Sequence, residues 1–337
     1  MTISSHNRSL VRRIGALASA GILSVALVAC SSSAGSDSGD NDTDLKVGAA
    51  PSLSALSLQG ALANGEFEKN GLNVEVVANK SANDAVPQLL NGGMDIAQMD
   101  MITFLKARSE GMPLQVIAGA GVQTTNGEVG QMSGAGVVAN PDSDIQGPAD
   151  LVGREVGVPA IKTQTWMNIR ATIDEAGGDS NQVKFVEVPT AQTIDLVNRG
   201  QVDASTPSEP LQSSSIHEGK VKLVMSTDAP GLKGAPSSVF VASEDYISQN
   251  PESVRKFADS VYATAAELAD DPEFAKEIGV NQLNLKPEQV ETMFVPALAT
   301  DHPSIEELNQ VIDLAVRYEV LESAPDLEGA IIDSEEG

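Results

Sequence analysis

Leu45-Lys46-Val47-Gly48-Ala49 is a short apolar strand, and the Pro51-Ser52-Leu53-Ser54 loop after it opens a helix running to about Lys69. Gly71 is a suitable stop, because glycine adopts the left-handed conformation in which helices commonly end. A second strand, Leu72-Asn73-Val74-Glu75-Val76-Val77, precedes a helix over about Asn83 to Leu90. Asn91-Gly92-Gly93-Met94-Asp95 then introduces a third strand, Ile96-Ala97-Gln98-Met99. Strands alternating with helical patterns predict βαβ units and a parallel sheet.

The same arrangement returns about 110 positions later. Glu155-Val156-Gly157-Val158 is the strand, Lys162-Thr163-Gln164-Thr165 the loop, and a helix runs to about Ala176 before Gly177-Gly178. Val183-Lys184-Phe185-Val186-Glu187-Val188 and a helix from about Ala191 to Asn198 follow. Asn198-Arg199-Gly200-Gln201-Val202-Asp203 then introduces Ala204-Ser205-Thr206. Val47 corresponds to Val156, Ser54 to Thr165, Val74 to Phe185 and Asp95 to Asp203. Few residues are identical; element order, turn glycines and the Asp before the third strand coincide together.

Two such units predict two lobes facing a cleft, since ligands of open parallel sheets sit outside the carboxyl ends of the strands. In both copies the first such loop is hydroxyl-rich and opens a helix. Ser52, Ser54, Thr163 and Thr165 are therefore either ordinary caps or part of a grip on a small polar ligand, helped by free backbone N–H groups. Ser237-Ser238-Val239-Phe240-Val241-Ala242 reads as one strand returning from the second lobe. From Pro251 to about Leu321 the pattern is nearly all helical. Val254, Phe257, Ala258, Val261, Tyr262, Ala265 and Leu268 are spaced for one buried face, and these helices are expected to pack on the first lobe.

The N-terminus specifies an address. Arg8, Arg12 and Arg13 precede an uncharged stretch from Ile14 to Ala29, then Leu27-Val28-Ala29-Cys30 and serines. A basic flank, a short apolar segment and small residues describe a secretory signal over residues 1–29, too short for a membrane-spanning helix. Leu-Val-Ala-Cys resembles the bacterial lipobox, which implies acylation (palmitate-type) of Cys30, the single cysteine of the chain. The acyl chains anchor without spanning, on the extracytoplasmic face of the cell membrane. Residues 30–44 hold nothing apolar between Ser31 and Asp44 except Ala34, and read as a disordered tether.

The formal charge of −26 becomes −29 once the three signal arginines are removed (−26 minus +3). That balance argues against nucleic acid, whose phosphates need Lys and Arg patches. The acids are spread along the chain and describe a solvated, soluble surface. Three histidines (His6, His217, His302) form no ligand-spaced cluster, so no metal or cofactor is expected. Gly-x-Ser-x-Gly, Walker and His-Glu-x-x-His motifs are absent, and no enzyme is expected.

Several ordered pieces resemble one family. They are Leu45–Gly48, Gly65-Glu66-Phe67-Glu68-Lys69-Asn70-Gly71-Leu72-Asn73-Val74-Glu75, Asn91–Ala97 and Glu110-Gly111-Met112-Pro113-Leu114 in the first half. In the second they are Pro148-Ala149-Asp150-Leu151-Val152-Gly153-Arg154-Glu155-Val156-Gly157-Val158-Pro159, Asn198–Ala204 and Glu209-Pro210. Over roughly residues 45–245 the chain resembles the nitrate/sulfonate/taurine-type substrate-binding proteins of ABC importers, a group that includes binders of thiamine pyrimidine precursors. The resemblance implies a type II periplasmic-binding-protein fold: two α/β lobes, a two-strand hinge and clamshell closure. It implies lobe 1 over residues 45–135 plus 238–337 and lobe 2 over residues 136–237. It also implies a monomer that delivers its ligand to ABC permease subunits. A lipid-anchored sensor or adaptor without transport is the alternative, and an enzyme of the related pyrimidine-synthase type a more distant one, since that type's cysteine-rich motif is missing.

The family's ligand contacts fall on positions matching Ser52, Leu53, Ser54, Asp100, Met101, the loop Gly119-Ala120-Gly121, residues Thr163, Gln164, Thr165 and Trp166, and Glu209. Trp166 either stacks on a ring-bearing ligand or packs between helix and sheet. Lys162 either pairs with a sulfonate, nitrate or carboxylate or is simply solvated. Asp100 and Glu209 repel a bare anion and suit the donors of an amine or pyrimidine; Asp100 also suits a cap for a helix over Met101 to Arg108. Sulfonate-like and heterocyclic ligands both remain open.

Overall fold

The computed structural model describes residues 43–78 and 82–332. The signal segment, Cys30 and the tether up to residue 42 lie outside the described residues. The first strand begins at Asp44, inside the stretch expected to be tether, because Asp44 already pairs in register with Asn73.

Among the described residues ten strands build two sheets. In chain order they are β1 (Asp44–Ala49), β2 (Asn73–Ala78), β3 (Ile96–Asp100), β4 (Leu114–Val122), β5 (Gly136–Ala139), β6 (Glu155–Val158), β7 (Lys184–Glu187), β8 (Ala204–Ser205), β9 (Lys222–Ser226) and β10 (Pro236–Ser243). The first sheet has the order β2-β1-β3-β10-β4 and the second β7-β6-β8-β5-β9. Three strands of each are mutually parallel: β2, β1 and β3, and β7, β6 and β8. Each sheet then receives an antiparallel strand from a crossing segment, β10 beside β3 and β5 beside β8. The chain therefore passes between the sheets twice, after β4 and after β9.

Central position explains composition. β10 lies between β3 and β4, covered on both faces, and its Val239, Phe240, Val241 and Ala242 are fully buried, as a strand without a wet face requires. Phe240 meets Phe257 edge-to-face at 5.2 Å, and Phe257 stacks on Phe67 at 5.4 Å. These rings fasten the helix Pro251–Asp270 to the first sheet. The expected apolar face of that helix is buried, and at its margin the Tyr262 hydroxyl accepts from the Gly119 N–H at 2.8 Å.

The repeated Asp has one job in both lobes. Asp95 Oδ2 accepts from Lys46 N at 2.7 Å while Asp95 N donates to Lys46 O; Asp203 Oδ2 accepts from Glu155 N at 2.8 Å while Asp203 N donates to Glu155 O. Each carboxylate ties the entry of the third strand to the start of the first.

Three expectations need correction. Gly119-Ala120-Gly121 is not a loop but part of β4. A Cβ on Gly119 would lie 2.5 Å from the Ala299 Cβ and 2.9 Å from the Asp301 carbonyl, so glycine permits the 299–301 segment to lie against the strand. The C-terminal part is also less helical than its pattern. Residues 294–300 form no helix, with Leu298 bridging to Gly121, because Pro296 cannot continue one. Nor do all these helices pack on the first lobe alone. Pro287–Thr292 lies against Leu211–His217, and Ile305–Arg317 touches both Met101–Ser109 and Gln164–Glu175.

Candidate functional site

A cavity of about 450 Å³ opens between the sheets, a volume suited to a small ligand. From the first lobe come Ala50 and Ser52 to Ser54 after β1, Gln98 to Asp100 at the end of β3, Gly121 to Thr124 at the end of β4, and Ser237 and Ser238 of β10. From the second come Ser133 to Ala135 before β5, Gln164, Thr165 and Asn168 of the helix Gln164–Glu175, Ser208 and Glu209 after β8, and Thr227 and Asp228 after β9. Pro296, Ala297 and Leu298 complete the wall. The lining clusters at the carboxyl ends of the parallel strands, where open sheets present their loops.

Ser52, Leu53, Ser54, Asp100, Gln164, Thr165 and Glu209 are thus brought together around the cavity. Ser52 and Ser54 hydrogen-bond each other at 2.8 Å, and the Ser54 carbonyl accepts from Gln98 Nε2 at 2.6 Å. Asp100 is the N-cap of the helix Met101–Ser109: its Oδ1 accepts from Thr103 N and its Oδ2 from Thr103 Oγ1. The capping and cavity-lining roles coexist.

Met101, Lys162, Thr163 and Trp166 stand outside the cavity. Met101 is fully buried in the core behind the Asp100 cap. Lys162 is exposed in the left-handed region (φ 59°), and its carbonyl accepts from Lys106 Nζ at 2.8 Å. Burial lowers the Lys106 ammonium's pKa. Thr163 is a true N-cap, its Oγ1 accepting from Trp166 N at 3.4 Å and donating to Ala160 O. Trp166 packs edge-on to Phe185 at 5.8 Å, with the Arg170 guanidinium 4.7 Å above its ring. A helix turns about 100° per residue, so with Gln164, Thr165 and Asn168 on the cavity side Trp166 faces elsewhere.

Electrostatically the lining is one-sided. Asp100, Glu209 and Asp228 are carboxylates, and the described lining residues include no Lys, Arg or His. Asp228 Oδ2 accepts from Thr124 N at 2.8 Å, Thr125 N at 2.9 Å and Thr124 Oγ1 at 3.3 Å, tying together the two crossing segments. Glu209 is buried. Its Oε1 accepts from Gln212 Nε2 at 2.9 Å and Ser213 Oγ at 2.7 Å, and its Oε2 from Phe294 N at 3.2 Å. Burial pushes the Glu209 carboxyl above the usual carboxylate range, and the bonds from Ser213, Phe294 and Gln212 pull against that rise. Among the described residues there is no group of three or more His, Cys, Asp or Glu able to hold a metal ion.

Gln98, Gln123, Thr124, Ser133, Asn168, Asp228 and the Pro296 segment line the cavity without having been expected there. Asn168 sits between Met167 and Ile169, both fully buried, but its residue type alone does not set it apart from other polar side chains of a helix.

Two lobes exchanging antiparallel strands around a polar cleft define the periplasmic-binding-protein fold. The chain belongs to the NMT1/THI5-like family, whose model matches residues 57–275. It is 25% identical over 199 residues to the formylaminopyrimidine-binding protein of Halalkalibacterium halodurans, covering 58% of this chain and 57% of that one. The match therefore spans little more than half of that relative's length. In structure the chain is similar to the periplasmic aliphatic sulphonate-binding protein SsuA of Escherichia coli, with TM-score 0.71, 16% identity, and 86% of this chain and 92% of that chain covered. It is also similar to the alkanesulfonate-binding protein SsuA of Xanthomonas axonopodis pv. citri bound to MOPS. There the TM-score is 0.69, identity 18%, and coverage 86% of this chain and 98% of that chain. The named relatives are binding proteins, not enzymes, and the likeness to the two solved structures is one of fold.

Proposed function

We propose that the chain is the extracytoplasmic solute-binding component of an ABC importer, and that it takes an uncharged or cationic heterocycle of the aminopyrimidine kind rather than a sulfonate or nitrate. The observation that carries this reading is the cavity lining, drawn from both lobes, whose described residues offer carboxylates and amides but no cationic side chain. A bare anion there meets three acidic side chains with no partner of opposite sign, and desolvating an unpaired charge is costly. The name of the Halalkalibacterium halodurans relative supports the same ligand class. Ligand bridging both lobes favours the closed form by its extra contacts there, and that form docks on the permease subunits. The lipobox around Cys30 supports tethering by lipid at the outer face of the cell membrane.

A thermal-shift and calorimetry screen of aminopyrimidines, taurine, alkanesulfonates and nitrate tests the ligand, because whatever binds the folded chain raises its melting temperature. Stabilisation by aminopyrimidines alone is expected; stabilisation by sulfonates alone sinks the assignment. Ser54→Ala combined with Thr165→Ala removes one lining hydroxyl from each lobe. It should weaken binding at least about tenfold, roughly one lost hydrogen bond of buried type, with little change in unfolding free energy.

A further inference from the structure

The carboxylates that line the cavity differ in what their oxygens are left free to do. Asp100 gives both to Thr103, Oδ1 to its N–H and Oδ2 to its hydroxyl. Glu209 has a partner on each, Gln212 and Ser213 on Oε1 and Phe294 N on Oε2. Asp228 is lopsided. Its Oδ2 takes all three bonds, from Thr124 N at 2.8 Å, Thr125 N at 2.9 Å and Thr124 Oγ1 at 3.3 Å, and its Oδ1 takes none. The residue is only 8% exposed. Seven side-chain atoms of the described residues are both sealed from solvent and without a partner; Asp228 Oδ1 is not among them, so this oxygen keeps open surface. Thr124 and Thr125 close the Oδ2 side, and Thr172 Oγ1 meets the Asp228 carbonyl at 3.3 Å on another. The space left is the cavity, which Asp228 lines. Two consecutive backbone N–H groups already fix the carboxylate's orientation, so a ligand that bonds the free oxygen pays little to order it.

Building on the aminopyrimidine reading of the cleft, we propose that Asp228 is the specificity-determining anchor of the ligand's amino group. Oδ1 accepts the amino N–H while Oδ2 stays on Thr124 and Thr125. A carboxylate makes a stronger hydrogen bond than a neutral acceptor, and the described lining residues include no Lys, Arg or His to compete for it. A ligand with an acceptor in the amine's place sets oxygen against oxygen. Sites built to hydrogen-bond an N–H reject the analogue that lacks it, because their own polar group is then left unpaired.

Since Oδ2 also ties the two crossing segments together, the test must spare it. Asp228→Asn does so: the Thr124 and Thr125 N–H groups require the amide oxygen on their side, which puts the amide NH2 where the free oxygen was. Calorimetry on the full chain compares 4-aminopyrimidine with 4-methoxypyrimidine, which carries an acceptor oxygen in the amine's place and no N–H. The wild type should prefer the amine at least about tenfold, and Asp228→Asn should lower that ratio at least about tenfold. Melting curves check that the variant folds. If it does not, a crystal structure of the wild type with 4-aminopyrimidine decides: the amine nitrogen is expected within hydrogen-bond distance of Oδ1, and an amine turned elsewhere overturns the anchor. A wild type without preference, or a ratio unchanged in Asp228→Asn, overturns it too. In each of these cases binding of the amine leaves the cleft reading intact. Binding of neither pyrimidine overturns both.

Discussion

The two lobes share a plan but fill it differently. Each has three parallel strands, one antiparallel strand delivered from the crossing segments, and an Asp bridging the third strand to the first. The first sheet has long strands, with β4 running over nine residues and β10 over eight. It packs Phe67, Phe240 and Phe257 into one ring cluster. The second sheet has strands of two to five residues, and its aromatic pair, Trp166 with Phe185, stands at the margin with Phe185 half-buried. The second lobe adds the buried Asp228 and Glu209 to the cavity, with Gln164 and Asn168 beside the first lobe's Gln98 and Gln123. One lobe is built as a frame, and the other gives much of its interior to polar groups held for the cleft.

Core truncation should separate them most sharply. Phe257 is fully buried between two rings, and Phe257→Ala should cost about 3–5 kcal/mol, the range for a buried Phe→Ala. Phe185→Ala, starting half-buried, should cost about half as much. Urea unfolding of both variants measures the difference, and equal losses would dissolve the contrast between frame and cleft lobe.

Legibility in the sequence follows a division of its own, between local and non-local order. The βαβ repeat, the turn glycines, the Asp95 and Asp203 correspondence and the Asp100 cap can be read because they rest on short-range pattern. Non-local placement cannot. Nothing near Val239 or Phe240 says that β10 inserts between β3 and β4. Nothing near Pro296 says that its segment reaches the cavity, which it does through the bridge of Leu298 to Gly121, far away in the chain. Trp166 stays ambiguous in sequence for a related reason. Its residue type suits ring stacking, but which way it faces depends on how the whole helix Gln164–Glu175 is rotated, and burial of Met167 and Ile169 in the core decides that. The cavity amides look like any polar side chains until their backbone partners, Ala229 and Thr227, come in from the other crossing segment.

The paired Asp bridges offer a subtler comparison, because here the lobes should behave alike. Asp95→Ala and Asp203→Ala each remove a charge-assisted bond to a backbone N–H, and each should cost about 1–2 kcal/mol. Asp203 also lies 4.0 Å from Arg154 Nη1, but both side chains are partly exposed and such a pair adds little. Neither Asp lines the cavity, so ligand affinity should stay within about twofold, well inside the scatter of surface substitutions. A loss of stability in one variant but not the other would break the structural equivalence of the two bridges. A large loss of affinity would make the Asp a cleft residue after all.

The smallest effect, and the one peculiar to the cleft lobe, is a pH dependence at Glu209. Burial raises its carboxyl above the ordinary value of 4.5, so the folded chain holds this proton more tightly than the unfolded chain. A raised pKa means that the group's stabilising share is fully present below the unfolded value and is lost as pH rises through the folded one. Glu209→Gln cannot ionise; its single amide oxygen keeps either the bonds from Ser213 and Gln212 or the bond from Phe294 N, a loss that does not vary with pH. Relative to wild type, the variant should therefore gain stability as pH is raised from below 4.5 towards neutrality. Urea unfolding of both proteins across that window reads the difference directly. A difference that is flat with pH would mean that the bonds from Ser213, Phe294 and Gln212 fully offset burial, and that the cleft lobe carries Glu209 ionised at no cost.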